Sequence, residues 1–497
     1  MNASAAVRPE SRRPAPRSEA GVSEPAPRRW TSLAFVALAQ LMVALDATIV
    51  SIALPSAQGA LHATDADRQW VITAYTLSFG GLLLLGGRIA DFLGRKRAFL
   101  VGLSGFALAS ALGGSASSFG LLVGARALQG AFAALLGPTA LSLLAITFTE
   151  PKERAKAFAV YGAIAGSGAA AGMLLGGVLT QYLTWRWCLY VNIPIAVVAG
   201  IGGWRVLKDS RSLTKPTFDV PGVVLAAGGL VALVYACTMA VSRSWRSTEV
   251  VPLLAASVLL LALFVVWEAR STSPLLPLRI VLDRNRGGAY LTVALTIAGM
   301  LGAFLFLTYY LQVILRFSPI QAGLAFLPIT LASQAGSWLI AARLMPMLPP
   351  RALMVPGALV AAAGMGLLTQ LQPDSSYLTL VLPAELLLGL GTSCVMVPAF
   401  SISTLGVDRR EAGIAAATVN TFQQIGGSLG VAILNTVAAS STAAYLALTS
   451  PAKSRVEAIV HGYSVATTWG VAILVLGAVI AALLIKAGKP SAAIRRT

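Results

Sequence analysis

Gly87-Arg88-Ile89-Ala90-Asp91-Phe92-Leu93-Gly94-Arg95-Lys96-Arg97 stands between two apolar runs, residues 70–90 and 98–117. Each run is long enough to cross a bilayer, which takes about 20 residues. The connection is too short for a soluble domain and carries four basic groups, Arg88, Arg95, Lys96 and Arg97. Two apolar runs around a short basic turn read as a helical hairpin in a membrane, with its turn on the positive side. Gly94 permits a tight turn, and Gly87 lets helices pack closely. Asp91 can pair with a basic group or a neighbouring helix N-terminus. Gly87, Asp91, Gly94 and Arg95 therefore read as a charge latch that holds one conformation and releases in another.

The same pattern recurs along the chain. Of 497 residues, 57% are hydrophobic and 11% charged, against about 25% charged in an ordinary soluble domain. So little charge cannot cover a water-facing surface, and lipid must be the solvent. Apolar runs of spanning length fall at 30–54, 70–90, 98–117, 119–146, 157–179, 188–206, 220–241, 251–267, 287–314, 322–344, 352–371, 377–400, 412–437 and 465–485. The expectation is an all-α membrane protein of 14 transmembrane helices.

Basic residues orient it. With the N-terminal tail in the cytoplasm, cytoplasmic segments hold 29 Lys and Arg, and the seven external loops hold 7. Arg126, inside a helix, completes the 37. This bias predicts that both termini are cytoplasmic, and the Arg-over-Lys, Ala- and Gly-rich composition points to a multi-pass protein of a bacterial cytoplasmic (inner) membrane. The net charge of +18 is then topology, and no nucleic-acid partner is expected. Cys188, Cys237 and Cys394 are too few and scattered for a disulfide framework or zinc site, and His62 and His461 lie far apart in loops. No metal and no cofactor is expected.

Residues 1–29, rich in Pro, Arg, Ser and Ala, read as a disordered cytoplasmic tail. Residues 30–206 hold six helices, 207–286 two inserted helices with flanking loops, 287–487 six more, and 488–497 a second cytoplasmic tail.

Several motifs now fall together. The 87–97 segment resembles the loop 2–3 signature of the major facilitator superfamily. Leu45-Asp46-Ala47-Thr48-Ile49-Val50-Ser51-Ile52-Ala53-Leu54-Pro55 is similar to the first-helix signature of its 14-helix drug:proton antiporter branch. Arg126-Ala127-Leu128-Gln129-Gly130 is similar to the helix 4 motif linked to proton coupling. Trp185-Arg186-Trp187 with Asn192-Ile193-Pro194, and Phe218-Asp219-Val220-Pro221-Gly222, resemble further stretches of that branch. The resemblance implies a major facilitator fold, with two pseudo-symmetric six-helix halves plus two inserted helices. It implies a proton-coupled antiporter, using the proton motive force to export small amphipathic drug-like or antibiotic molecules. The implied partners are protons, a small-molecule substrate and the lipid bilayer, with the protein a monomer.

The chain departs from the branch at two places. Met173 stands where the helix 5 motif carries proline, although Gly168, Gly172 and Gly176, with Gly177, keep a small-residue face for close packing or gating. Gln423 stands where many relatives have Arg. An internal repeat also fits the two-half plan. A shift of 259 residues lays Ala125-Arg126 on Ala384-Glu385 and Gly130 on Gly389.

Ionisable residues deep in a span are costly and point to function. Asp46, Arg126 and Glu385 lie at similar depth, roughly 10–13 Å below the outer surface at about 1.5 Å per residue. The expectation is that Asp46 and Glu385 share the proton and substrate work beside Arg126. With both acids ionised the layer carries −1, so one proton or one cationic substrate would neutralise it. Gln40, Gln129, Tyr309, Gln312, Asn420 and Gln424 are candidate cavity residues near these layers. Two alternatives stay open: a same-fold transporter of a metabolite, by export or symport, and, more remotely, a membrane-embedded enzyme or non-transporting scaffold. No catalytic residue is expected.

Overall fold

A computed structural model of the chain describes residues 26–64, 67–148, 150–207, 219–243, 246–271, 274–276, 278–404, 407, 412–448 and 455–488. Most of both tails, and Phe218 of the 218–222 motif, lie outside the described residues. Backbone groups in lipid must bond within their own segment, so the apolar runs fold as helices. Fourteen segments follow: α1 Ala26–Ala60, α2 Trp70–Leu93, α3 Arg95–Gly114, α4 Phe119–Thr147, α5 Pro151–Tyr182, α6 Trp187–Val206, α7 Val220–Ser242, α8 Val250–Arg270, α9 Arg284–Ile314, α10 Pro319–Ala341, α11 Arg351–Leu368, α12 Tyr377–Ser403, α13 Ala412–Leu448 and α14 Arg455–Leu484. Thirteen are long and apolar enough to span a membrane as single helices; α2 qualifies as a bent pair, turning by 58° between Leu83 and Leu85, beside Gly86-Gly87.

Helices α1–α6 pack mainly among themselves, and so do α9–α14. The pair α7–α8 packs together and leans on α2 and α13. Large apolar side chains such as Leu108, Trp204, Val258 and Trp338 remain exposed on helix surfaces, as lipid-facing residues should. We call the side bearing the α1 N-terminus proximal and the other distal.

Three details position the site. Gly94 links α2 to α3 at φ 90°, a left-handed conformation that glycine adopts without a Cβ clash. Along α5, Gly168, Gly172 and Gly176 press on Ala44, Leu45 and Ile49 of α1, and Thr48 Oγ1 donates to the Ala169 carbonyl at 2.9 Å. That contact turns the opposite face of α1, with Asp46, toward α4 and α6. In the second half, π-helical turns at Tyr310–Ile314, Gly336–Ala341 and Tyr377–Val381 interrupt α9, α10 and α12.

Candidate functional site

Asp46 is completely buried and Arg126 nearly so, at 0% and 2% exposure. Arg126 Nη1 lies 2.5 Å from Asp46 Oδ2. The other carboxylate oxygen accepts from Gln129 Nε2 at 3.1 Å and Asn192 Nδ2 at 2.7 Å. Arg126 also donates through Nε to the Val71 carbonyl at 3.1 Å and through Nη1 to Gln129 Oε1 at 3.0 Å. Gln129 donates in turn to Ser110 Oγ at 2.8 Å, and the guanidinium lies 4.2 Å from the Tyr75 ring centre. Three helices, α1, α4 and α6, thus meet at one carboxylate, and α2 and α3 hold Arg126 and Gln129 through Val71 and Ser110. Isolated buried charges cost several kcal/mol each, which such a shell of donors offsets.

The sequence placed Asp46 and Arg126 at one depth, and they meet. It did not reveal Asn192, Ser110 or Tyr75 as partners. Asn192 stood in a quoted motif, but nothing local tells that its side chain reaches α1.

Glu385 lies elsewhere. It is completely buried in the second half, with both carboxyl oxygens lacking a hydrogen-bond partner among the described residues. Tyr377 approaches it, but its hydroxyl hydrogen goes to the Ala325 carbonyl at 2.8 Å. Glu385 precedes Gly389 by one turn as Arg126 precedes Gly130, and the two glycines pack α12 on α10 and α4 on α2.

The cavity candidates divide. Gln129 belongs to the Asp46 shell. Gln40 accepts from Tyr161 Oη at 2.5 Å. It adjoins a cleft of about 440 Å³ between α1 and α5 in the proximal half, lined by residues including Trp30, Ala34, Leu38, Leu41, Val160 and Ile164. Tyr309 and Gln312 instead bind the halves together: Tyr309 donates to Gln58, and Gln312 Nε2 donates to the Ile52 carbonyl at 3.0 Å. Asn420 and Gln424 are half-buried on α13, where Gln424 meets Gly80 of α2.

Arg68 completes the distal closure, although its charge marks it as solvent-facing in any local reading of the sequence. It is 5% exposed. Its guanidinium stacks 3.9 Å from the Tyr309 ring centre and donates to Tyr463 Oη at 3.3 Å and Asn435 Oδ1 at 3.4 Å. The Ile320 amide donates to Gln181 Oε1 at 3.3 Å on the same side.

The sequence model of the Major Facilitator Superfamily matches residues 36–431. The chain belongs to the Major Facilitator Superfamily. It is 55% identical over 474 residues to the puromycin resistance protein pur8 of Streptomyces alboniger, covering 95% of this chain and 94% of that protein. The cephamycin export protein CmcT of Amycolatopsis lactamdurans is 39% identical over 415 residues, 83% of this chain and 85% of that protein. A solved bacterial homologue of the human lysosomal transporter Spinster, inward-facing and occupied, superposes with a TM-score of 0.68 over 93% of this chain and 98% of that chain. At 15% identity this likeness speaks for the fold. The chain is therefore a multi-pass membrane transporter of the drug- and antibiotic-export kind, with the fold its motifs implied, and not an enzyme.

Two features of the superfamily signature take specific form here. In the 87–97 segment, Gly94 makes the turn, and Arg95 Nη2 lies 3.7 Å from Asp91 Oδ1 across half-exposed ground. The close helix approach expected at Gly87 belongs to Gly86, which abuts the Ala134 carbonyl of α4; a Cβ on Gly87 would stay 3.6 Å from Pro138. One residue is about 100° of helix rotation, which periodicity alone does not resolve. Arg88 reaches away to the Pro274 carbonyl at 2.8 Å. On α5, Met173 is buried against the second half, near Gly323 and Thr330, and Gly177 abuts Pro319 and Ile320. Without the proline α5 runs unbroken from Pro151 to Tyr182.

Proposed function

We propose that this transporter works as a monomeric proton-coupled antiporter of the cytoplasmic membrane, with the proximal side and both termini in the cytoplasm. It would export a small amphipathic antibiotic or drug-like molecule. The observation that carries the reading is the buried Asp46–Arg126 pair, held by Gln129 and Asn192 where α1, α4 and α6 meet. A packing scaffold has no need of so costly an arrangement. Redistributing its charge is a means of coupling proton movement to a helix rearrangement.

The two acids divide the work. Asp46 has three donors around its carboxylate. Glu385 has none among the described residues, which supports its role as the group that takes up and releases the proton. Contacts through Arg68, Tyr309, Gln312 and Gln181 join the halves from mid-depth to the distal side, while the apolar cleft between α1 and α5 lies in the proximal half. These features support a form loaded from the cytoplasm. Release of the Glu385 proton and passage of the drug would accompany the exchange to the opposite form. Each proton entering the cell supplies about 2.3 kcal/mol per 100 mV, a concentration ratio of about 40.

Puromycin and cephamycin are the first substrates to try, since relatives are named for them. Inside-out vesicles with an acid interior should accumulate one of them, and collapse of the gradient should release it. Asp46→Asn should abolish accumulation at equal protein level. Undiminished uptake by that variant would sink the mechanism. Gradient-driven transport of a metabolite, with no drug moved, would favour the metabolite transporter instead.

A further inference from the structure

Asp219 and Glu268 form a second buried acid site, apart from Asp46 and Glu385. Asp219 caps the N-terminus of α7, and Glu268 lies near the C-terminus of α8, on the proximal side. They are 7% and 3% exposed. Asp219 Oδ1 is fully engaged: it accepts from the Gly222 amide at 3.0 Å and from Trp267 Nε1 at 2.6 Å. Glu268 Oε2 accepts from the Leu276 amide at 3.0 Å. The remaining oxygens, Asp219 Oδ2 and Glu268 Oε1, are both buried with no hydrogen-bond donor among the described residues.

Those two oxygens aim at one point. A Cβ built on Gly222 would lie 2.7 Å from Asp219 Oδ2 and 2.8 Å from Glu268 Oε1. Any side chain at 222 would press on both carboxyls, which accounts for the glycine of the 218–222 motif. Among the described residues, the basic groups of the neighbouring elements are engaged elsewhere or exposed. Arg88 of α2 is spent on the Pro274 carbonyl, Asp91 of α2 is near Arg95, and Arg270 of α8 and Arg279 beyond it are exposed. Helix α13, which also packs on α7, has no Asp, Glu, His, Lys or Arg between Ala412 and Leu448. Among the described residues, no three His, Cys, Asp or Glu side chains gather to hold a metal ion.

Two facing carboxylates in such a place cannot both stay ionised, and one proton between them turns repulsion into an O–H···O⁻ hydrogen bond. We propose that Asp219 and Glu268 bind one proton between them, drawn from the proximal solvent, and that this proton fastens the α8–α9 linker against α2. The linker is gripped from two sides: Glu268 takes the Leu276 amide, and Arg88, in the latch segment, takes the Pro274 carbonyl. With the proton, the pair carries −1 and Glu268 keeps its place. Without it, the carboxylates separate and Glu268 draws away from Leu276. The acidity of that face is thereby read by the α2–α3 turn. This inference does not depend on the transport mechanism at Asp46 and Glu385.

Hydrogen–deuterium exchange on the full chain in lipid nanodiscs tests it, between about pH 6 and pH 9. After correction for intrinsic exchange, protection of the peptide containing Leu276 should fall by about tenfold per pH unit once the proton leaves, as linkage to one proton requires. In Glu268→Gln the carboxamide donates permanently to Asp219, so protection should stay level across the range. Level protection in the wild type would overturn the proposal. A second measurement needs no opening motion: infrared spectra in a Glu385→Gln background. The C=O stretch of one protonated carboxyl should vanish both in Glu268→Gln and in Asp219→Asn. Loss in only one variant would assign the proton to a single residue, and loss in neither would leave the pair ionised; either result refutes the shared proton.

Discussion

Gly130 and Gly389 make the same contact in opposite halves of the molecule. A Cβ on Gly130 would press on the Tyr75 carbonyl, and would lie 3.0 Å from Ser78 Cβ and 3.1 Å from Phe79 N. A Cβ on Gly389 would press on the Ile329 carbonyl, 3.0 Å from both Ala332 Cβ and Ser333 N. The partners are the same atoms at the same spacing along α2 and α10. One turn earlier on those helices stand the Val71 and Ala325 carbonyls. Arg126 donates to the first and Tyr377 to the second. The Glu385 carboxyl does not bond the Ala325 carbonyl, so a tyrosine supplies in the second half what the arginine supplies in the first. The repeat has been kept in its packing and divided in its chemistry.

Close backbone approach at these glycines leaves no room for a branched side chain. Gly130→Val and Gly389→Val should each destabilise the protein by about 1–3 kcal/mol through overpacking. Thermal unfolding in detergent should show similar losses for the two. A neutral Gly389→Val would mean that α12 does not need its approach to α10.

Removing one partner of the Asp46–Arg126 pair strands the other charge away from water. Asp46→Asn or Arg126→Gln alone should cost about 3–5 kcal/mol. The double variant should recover much of that stability, since neither charge is left exposed to an apolar interior. It should not recover proton-driven uptake. Stability and transport measured on all three variants separate a coupling role from a packing role.

How far the sequence disclosed these features depended on how local each one was. Hydropathy and the Lys/Arg bias located the spans, because lipid acts on each run separately. The Gly94 turn was equally local, being set by one residue's allowed φ. Span ends were less so: α13 runs to Leu448 and α14 starts at Arg455, beyond the most apolar stretches, because tertiary contacts continue a helix past them. Asp46 and Arg126 could be matched by depth alone. Asn192, Ser110 and Tyr75 are ordinary polar residues whose directions are set only once five helices pack. Arg68 was hidden for the opposite reason. Its charge marks it as solvent-facing in any local reading, and only the Tyr309 and Tyr463 rings of the other half make its burial tolerable.

Arg68 closes the distal side by stacking on Tyr309 and bonding Tyr463 and Asn435. A desolvated cation–π contact is worth about 2 kcal/mol. Arg68→Ala should therefore favour distal opening by about 30-fold. A cysteine introduced at Gln312 and probed from the distal side with a membrane-impermeant maleimide should react faster by that factor in the Arg68→Ala background. The native Cys188, Cys237 and Cys394 are buried and give a low background. An unchanged rate would place the closure elsewhere.

Glu385 offers the sharpest separation of proton transfer from drug passage. A glutamine has nearly the same shape and is neutral, like the protonated acid that the surroundings accommodate. Glu385→Gln should leave thermal stability within about 1 kcal/mol of the parent, because no charge is buried and no donor is lost. Tyr377→Phe, which leaves the Ala325 carbonyl without its hydroxyl donor, should cost about 1–3 kcal/mol by comparison. The glutamine variant cannot release a proton, so accumulation of drug against its gradient should cease. Exchange of labelled for unlabelled drug across the membrane needs no net proton movement and should persist. Asp46→Asn should lose both, since its charge organises the helices that must move. If Glu385→Gln retained gradient-driven accumulation, the proton would have to travel through Asp46 alone, and the burial of Glu385 without a donor would need another cause.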